Sequence, residues 1–417
     1  MSVAVISLLA LLAVIVVSCF SPINIGFLSV ALAFLIGHFL GALPVRTIVA
    51  GFPASLFLTL VGVTLLFAQS RVNGTLDKVA GHAVRLARGN TGLIPIVFFV
   101  LAALMATIGI GNIGACALLA PVAMGIAGQA GIPGFLMAIM LANGANAGGL
   151  SPLAPTGIIA RDLMARAGLP GAEWPTFFNT LGAQSFVAFA GYFLFGGIRL
   201  LRRGPADDAA ASLFARPAPF TREQRLTLAV IGALILSAVL LQVDVGMGAF
   251  VAAAILSFAR AADEERAIQA MPWGVILMVS GVTVLVEVLG KTGGMELFTN
   301  MLARLSGPTY VTGMIAFVTG VISVYSSSSG VVLPAFLPTI PGLIEKLGGG
   351  NPLMIAYSIN VGAHLVDVSP LSTLGALCLA VAAPSEDRTA LFRKLMIWGW
   401  SMALVGAVVC QLFFGYR

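Results

Sequence analysis

Charged side chains are scarce in this chain of 417 residues: Asp, Glu, Lys and Arg make up 9% of it, whereas 59% of the residues are hydrophobic. A soluble domain carries roughly a quarter charged residues. Several apolar stretches reach the roughly 20 residues that span a bilayer. The composition therefore excludes an ordinary soluble protein and predicts an integral membrane protein. Nucleic-acid binding is not indicated, because the basic residues behind the net charge of +6 lie in short loops between apolar runs.

Three kinds of motif are missing. The four cysteines lie in apolar runs without CxxC spacing, which indicates neither a metal site nor a disulfide framework and predicts buried packing residues. No GxxxxGK[ST] motif occurs, which disfavours ATP-driven pumping by this chain. No Lys or Arg precedes the first apolar run, so it is predicted to be a transmembrane helix rather than a signal peptide. No cofactor is expected, and Na⁺ is the one metal ion considered, as a coupling ion.

An internal repeat organises the chain. Residues 52–66 match 271–285, with a shared Pro and a shared Gly-Val-Thr, and Asn143 falls on Asn360. Ser-Pro-Leu at 151–153 falls on Ser-Pro-Leu at 369–371 at nearly the same spacing. The repeat predicts a duplication, with a first half over 1–202, a linker over 203–222 and a second half over 223–417.

Each half is predicted to cross the membrane an odd number of times, so the halves are inverted relative to each other. A charge-free segment, 92–130, has a Gly-rich middle that suits a re-entrant hairpin, although two full spans would look alike by hydropathy. The expected fold is an all-α polytopic membrane protein with about 10 transmembrane helices, two opposed re-entrant hairpins and two broken helices. Scaffold helices are expected over about 1–91 and 223–306. Hairpins and broken helices are expected over about 92–200 and 307–414. Lys and Arg are concentrated on the linker side, which predicts a cytoplasmic linker and periplasmic termini.

Two stretches interrupt apolar runs at matching positions, NGANAGGLSPLAPTG (143–157) and NVGAHLVDVSPLSTLG (360–375). Polar groups at membrane depth are costly and usually functional. In both, Ser-Pro is predicted to open a second half-helix, with Ser151 or Ser369 as its cap and the proline in its first turn. Helix N-termini attract anions, which suits a carboxylate ligand.

The predicted tips of the hairpins supply further polar groups. One tip offers Asn112 between glycines, and the other offers four consecutive serines, 326–329. Such oxygens suit a dehydrated Na⁺ ion or a substrate oxygen, and a self-satisfied tight turn is the alternative. The predicted substrate-binding residues are Asn112, Asn146, Ser151, Thr156, Ser327, Ser328, His364, Ser369, Ser372 and Thr373. The predicted coupling-ion residues are Asn112, Asn143, Ser329, Asn360 and Asp367.

Asp367 and His364 are the carboxylate and the imidazole inside a break. Asp367 could bind a cation, relay a proton or cap the half-helix expected after it. His364 has no counterpart in the first half and could contact the substrate or fill space.

The segments PASLFLTLVGVTLLF (53–67), NIGACALLAP (112–121) and NGANAGGLSPLAPTGIIA (143–160) resemble the malonate and dicarboxylate carrier family of bacterial permeases. That family lies within the ion transporter superfamily, together with the divalent anion:sodium symporters. The resemblance covers most of the first half. It implies an elevator mechanism, a scaffold domain, two opposed hairpins, a homodimer and a place in the bacterial inner membrane. Sodium-coupled relatives carry Ser-Asn-Thr at each tip, and here Asn112 is the residue that matches.

The expected function is therefore secondary transport of a small organic anion, a C3–C4 dicarboxylate such as malonate or succinate, by Na⁺- or H⁺-coupled symport. The expected partners are this substrate and membrane lipid. The alternative is an inorganic-ion carrier or cation/proton antiporter, in which Asp367 would be central. An intramembrane enzyme or a receptor is less favoured, because His364 and Asp367 alone could form an acid/base pair and no nucleophile accompanies them.

Overall fold

The computed structural model describes residues 2–21, 23–84, 90–202, 218–241 and 243–415. The predicted linker 203–222 lies outside the described residues up to 217. The helices of the first half are α1 (Val3–Phe20), α2 (Ile25–Phe34, continued by π-helical turns over Leu35–Leu40), α3 (Val45–Ala50), α4 (Ala54–Val72), α5 (Thr75–Val84), α6 (Leu93–Met105, continued over Ala106–Ile110), α7 (Gly111–Gln129), α8 (Gly134–Gly149), α9 (Pro155–Arg166), α10 (Glu173–Leu194) and α11 (Gly197–Arg202).

The second half has the same general order of helices. They are α12 (Arg222–Leu240), α13 (Val245–Phe258), α14 (Glu264–Ala270), α15 (Trp273–Lys291), α16 (Gly294–Leu305), α17 (Val311–Ser323), α18 (Leu333–Phe336, preceded by π-helical turns over Ser328–Val332), α19 (Ile340–Leu347), α20 (Pro352–Leu365), α21 (Thr373–Ala380) and α22 (Arg388–Phe414).

The described residues form a helical, multi-pass architecture, as the composition predicts. Five helical stretches are long and apolar enough to cross a membrane: Ala54–Val72, Leu93–Gln129, Trp273–Lys291, Ser328–Leu347 and Arg388–Phe414. Shorter apolar helices, such as Val311–Ser323, accompany them. An all-α membrane protein is therefore confirmed at this level.

Matching local signals start matching helices in the two halves. Asn24 caps α2 by accepting from the amide of Gly26, and Asp244 caps α13 by accepting from the amide of Met247. Pro53 and Pro272 directly precede α4 and α15. A side-chain oxygen at the cap satisfies an amide that the helix leaves free, so these positions fix where each helix begins.

Helices from opposite halves cross closely at glycines. In the α2–α15 crossing, a Cβ on Gly26 would lie 2.6 Å from the carbonyl carbon of Leu277, and Gly281 faces Gly26. In the α4–α13 crossing, a Cβ on Gly62 would lie 2.5 Å from the carbonyl oxygen of Gly246. Such contacts leave no room for a side chain, so glycine sets the helix spacing. The two crossings bring helices of the two halves into direct contact.

The chain is interrupted at the two predicted tips. Between α6 and α7, Gly109 has φ 122° and Gly111 has φ 76°, a region that favours glycine. Helices α6 and α7 pack against each other and against α8. In the second half, α17 ends at Ser323, and residues 324–327 separate it from the helical turns that begin at Ser328.

Both predicted helix breaks are present, but each second half-helix starts later than predicted. Helix α8 ends at Gly149 and α9 begins at Pro155, while α20 ends at Leu365 and α21 begins at Thr373. The assignment of Ser151 and Ser369 as caps is therefore wrong. The residues before the half-helices are Ala154 and Ser372.

Candidate functional site

A chain of buried hydrogen bonds runs from the first break to the second. Thr156, at the start of α9, donates its hydroxyl to Oδ1 of Asn112 at 3.1 Å. The amide of Asn112 donates to Oδ1 of Asn146 at 2.8 Å. The amide of Asn146 donates to the carbonyl of His364 at 2.9 Å and to Oδ2 of Asp367 at 3.4 Å. The first tip and both breaks thus share one polar network.

Asp367 accepts hydrogen bonds from two hydroxyl groups of the second half. Its Oδ1 accepts from the hydroxyl of Ser328 at 2.6 Å and from that of Ser372 at 3.0 Å. Ser328 also lies 2.9 Å from the carbonyl of Ala363. The carboxylate is 5% exposed, and a buried charge needs partners of this kind. Asp367 therefore joins the second tip to both breaks.

Ser151 and Ser369 were predicted to cap the half-helices, but their hydroxyls donate to backbone carbonyls near the tips. Ser151 donates to the carbonyl of Thr107, in the last turns before the first tip, at 2.7 Å. Ser369 donates to the carbonyl of Val324, just before the second tip, at 2.9 Å. Each hydroxyl also accepts from the amide two residues later. These hydrogen bonds link each break to the segment just before the tip of the same half, because freed carbonyls there need a donor that lipid cannot offer.

Asn143 and Asn360 have matching surroundings. The amide of Asn143 donates to the carbonyl of Ile139 at 2.8 Å, and that of Asn360 donates to Ala356 at 2.9 Å. Both Oδ1 atoms are buried, and neither has a hydrogen-bond partner among the described residues. A buried acceptor without a donor is costly, so these two oxygens are the ones best suited to a water or a cation.

His364 lies inside the same region. Its Nδ1 is 2.8 Å from the carbonyl of Asn360, so Nδ1 carries a proton and donates to that oxygen. Its Nε2 is buried without a partner among the described residues.

The remaining predicted residues flank the network. Ser327 accepts from the amide of Gly330 at 3.1 Å, so it caps the turn at the second tip. Ser329 is buried beside Ser328. Thr373 is exposed at the start of α21, where the preceding Ser372 reaches Asp367 instead.

Two residues of α10 were not predicted. Thr180 and Gln184 are fully buried, and their side-chain polar atoms have no partner among the described residues. Helix α10 packs against both α8 and α20, the helices that carry Asn143 and Asn360. A lone Gln inside an apolar helix was the available signal, because a polar group at membrane depth is costly.

A cavity adjoins each tip. A cavity of about 150 Å³ is lined at the first tip by Gly111 and Asn112, at the start of α9 by Thr156, and on α4 by Phe67 and Arg71. A second, of about 310 Å³, lies at the second tip and includes Ser18, Asn24, Met278 and Ser327. Both cavities are also lined by the first turns of α15. Both cavities therefore lie at the end of α15 where that helix begins.

The first part of the chain is similar to a known family. Residues 1–149 match the family described as dicarboxylate carrier protein MatC N-terminus, which confirms the resemblance found in the first half. No curated protein sequence matches significantly.

Two solved structures are similar in fold. The YdaH transporter of Alcanivorax borkumensis is 15% identical, with 89% of each chain covered and a TM-score of 0.60. MtrF of Neisseria gonorrhoeae, described as illuminating a class of antimetabolite efflux pumps, is 12% identical. That match covers 92% of this chain and 84% of MtrF, with a TM-score of 0.59. At these identities the likeness concerns the fold alone.

Proposed function

We propose that this chain, whose first 149 residues match a dicarboxylate carrier family, is a secondary transporter of a small organic anion. The substrate class is a C3–C4 dicarboxylate such as malonate or succinate, carried by symport with Na⁺ or H⁺. The observation that carries the proposal is the single network from Thr156 through Asn112 and Asn146 to Asp367, which connects both tips and both breaks. A shared midplane site between two halves is how many transporters bind their cargo.

The anion binds near the first turns of α9 and α21. Each half-helix begins four residues beyond its Ser-Pro serine, and because Pro155 has no N–H, the free amides of α9 begin at Thr156. Thr156 and Ser372 therefore replace Ser151 and Ser369 as the hydroxyls nearest the helix starts. Helix N-termini stabilise negative charge without a basic side chain. The two half-helices come from opposite breaks, which suits a ligand with two carboxylates.

Asp367 supplies the physical reason for coupling. Two negative charges about 4 Å apart repel by about 4 kcal/mol at the effective dielectric constant typical of protein sites. A dicarboxylate therefore binds beside Asp367 only when a proton or a cation cancels that charge. The free oxygens of Asn143 and Asn360 and the hydroxyl of Ser329 are the proposed ligands of a Na⁺ ion.

The proposed transport movement is that of an elevator. The two segments with hairpin and broken helix, about 92–200 and 307–414, move together against the scaffold formed by about 1–91 and 223–306. The matching glycine crossings support an inverted duplication with halves 1–202 and 223–417. The protein is placed in the bacterial inner membrane as a homodimer, with the linker cytoplasmic and both termini periplasmic.

The function is tested by uptake of radiolabelled malonate and succinate into proteoliposomes. Na⁺ and proton gradients are imposed separately, and protein-free liposomes serve as the control. We expect accumulation that depends on one of the two gradients. Failure to accumulate any mono- or dicarboxylate would rule out the proposal.

The buried carboxylate also supports a second candidate, a cation/proton antiporter. Asp367 receives three donors and is the acidic residue of the network. Such an antiporter would move protons in response to a Na⁺ pulse with no organic anion present. A pH-sensitive dye inside the proteoliposomes separates the two functions, because the symporter needs the dicarboxylate for any signal.

A further inference from the structure

The cavity of about 150 Å³ at the first tip has the size of a small ligand site. A cavity of that volume holds a molecule such as benzene, so a C3–C4 dicarboxylate fits. Its walls come from two parts of the fold. Gly111, Asn112 and Thr156 belong to the part proposed to move, while Phe67 and Arg71 belong to scaffold helix α4.

Arg71 is the charged residue in the lining of this cavity. It lies in the last turn of α4, where a cation is favoured by the helix dipole. Its guanidinium is exposed and has no hydrogen-bond or ion-pair partner within the described part of the chain. On α9 and α15, Arg166 pairs with Asp162 and Lys291 pairs with Glu287. Arg161 of α9 has no such partner within the described part of the chain, but it does not line this cavity.

The two halves differ at this position. Under the sequence repeat that aligns 52–66 with 271–285, Arg71 falls on Gly290. The basic residue in the last turn of α15, Lys291, lies one position later and pairs with Glu287. A basic residue that serves only to set the orientation of the chain in the membrane does not need to border a cavity. A guanidinium that stays protonated, carries a fork of donors and borders an anion-sized space suits a carboxylate in bidentate contact.

We propose that Arg71 binds the outer carboxylate of a dicarboxylate whose inner end faces Asn112 and Thr156, and that it thereby selects doubly charged anions over singly charged ones. The inference rests on the proposed function and adds a selectivity residue on the scaffold. Because Arg71 lies on the scaffold, this contact forms only while the first tip faces that end of the scaffold.

The test compares Arg71→Gln, Arg71→Lys and the control Arg266→Gln in the full-length protein. Arg266 is exposed on α14 and does not line the cavity. In malonate uptake, Arg71→Gln should raise KM roughly tenfold, the effect of losing a charged hydrogen bond. Arg71→Lys should recover part of this loss, and Arg266→Gln should match the wild type.

A binding measurement separates this inference from the proposed function. The melting temperature of purified protein is followed with malonate, succinate or acetate. We expect the dicarboxylates to stabilise the wild type more than acetate does, and Arg71→Gln to lose only that difference. Arg71-dependent stabilisation without any uptake would uphold the inference and reject the transport function. Equal KM values in the wild type and Arg71→Gln, or no stabilisation of the wild type by either dicarboxylate, would overturn the inference.

Discussion

Asp367 occupies a position at which the two halves differ. Under the alignment of the Ser-Pro steps, its counterpart is Gly149. A Cβ on Gly149 would lie 3.0 Å from Cβ of Asn112. The side-chain amide of Asn112 therefore packs against the position that corresponds to Asp367 in the second half. The amide of Asn112 and the carboxylate of Asp367 each accept from a hydroxyl near the start of a half-helix. The hydrogen bonds at the first tip thus involve a neutral side chain, Asn112, whereas those at the second tip involve a titratable one, Asp367.

Asp367→Asn should reduce malonate uptake at least tenfold and remove its dependence on the driving cation. The substitution keeps an acceptor for Ser328 and Ser372, but its new amide faces the amide of Asn146, which is itself a donor. Losing a hydrogen bond to a charged group costs about 1.5–3 kcal/mol. The measurement is uptake under separate Na⁺ and proton gradients.

Asp387→Asn is the matched control. Asp387 caps α22 by accepting from the amides of Thr389 and Ala390, and Asn caps a helix about as well as Asp. Uptake by this variant should equal that of the wild type. A fully active, cation-dependent Asp367→Asn protein would show that the carboxylate has a structural role only.

At the level of elements, the first tip depends on the absence of a side chain at the end of α8. Gly149→Ala would force Asn112 to move by a few tenths of an ångström and weaken its 2.8 Å bond to Asn146. We expect uptake to fall severalfold, with a stability loss of about 1–3 kcal/mol from overpacking.

Gly125→Ala provides the comparison for that variant. Gly125 lies inside α7, and a Cβ there would meet nothing within 4 Å. Alanine in a helix interior is favoured over glycine by about 0.5–1 kcal/mol, so this variant should be active and at least as stable as the wild type. If both variants behave alike, the contact between Gly149 and Asn112 does not control the tip.

The scaffold crossings make a separate prediction. In α15, Gly281→Ala should lower the melting temperature, because the new methyl group meets the backbone of Gly26 and α2 cannot approach as closely. Overpacking of this kind costs about 1–3 kcal/mol. Gly290→Ala, in the same helix with nothing within 4 Å, should leave the melting temperature at or above that of the wild type. Equal melting temperatures in thermal unfolding of the two purified variants would contradict the proposed role of the crossing.

The breaks and tips could be predicted from sequence because polar and glycine residues stand out within apolar runs. The starts of the half-helices could not be predicted, because the serines that match the local pattern of a helix cap form hydrogen bonds with residues distant in sequence instead. Ser151 and Ser369 look like caps, but their hydroxyls donate to Thr107 and Val324, which are distant in sequence. The position of Gln184 near the site could not be predicted for a related reason. Its helix has no break, and only the packing of α10 on α8 and α20 brings it near the site.

At the scale of the whole molecule, two close side-chain pairs distinguish the proposed moving part from the scaffold. Ser18 of α1 and Ser326 of the second tip have their hydroxyl oxygens 2.8 Å apart, so this pair bridges scaffold and moving part. Cys116 of α7 and Cys378 of α21 have their sulfurs 3.9 Å apart, and both belong to the moving part. Both separations are short enough for a disulfide after small adjustments.

An elevator therefore predicts opposite effects for two disulfides. Ser18→Cys with Ser326→Cys, in a chain whose own four cysteines are replaced by alanine, should lose malonate uptake on oxidation and regain it on reduction. The link between Cys116 and Cys378, with the other two cysteines replaced, should leave uptake unchanged, because it joins helices that travel together. Mass spectrometry of linked peptides measures how much disulfide forms. Full uptake by protein whose residues 18 and 326 are linked would mean that the second tip does not move against α1, and the elevator mechanism would be wrong.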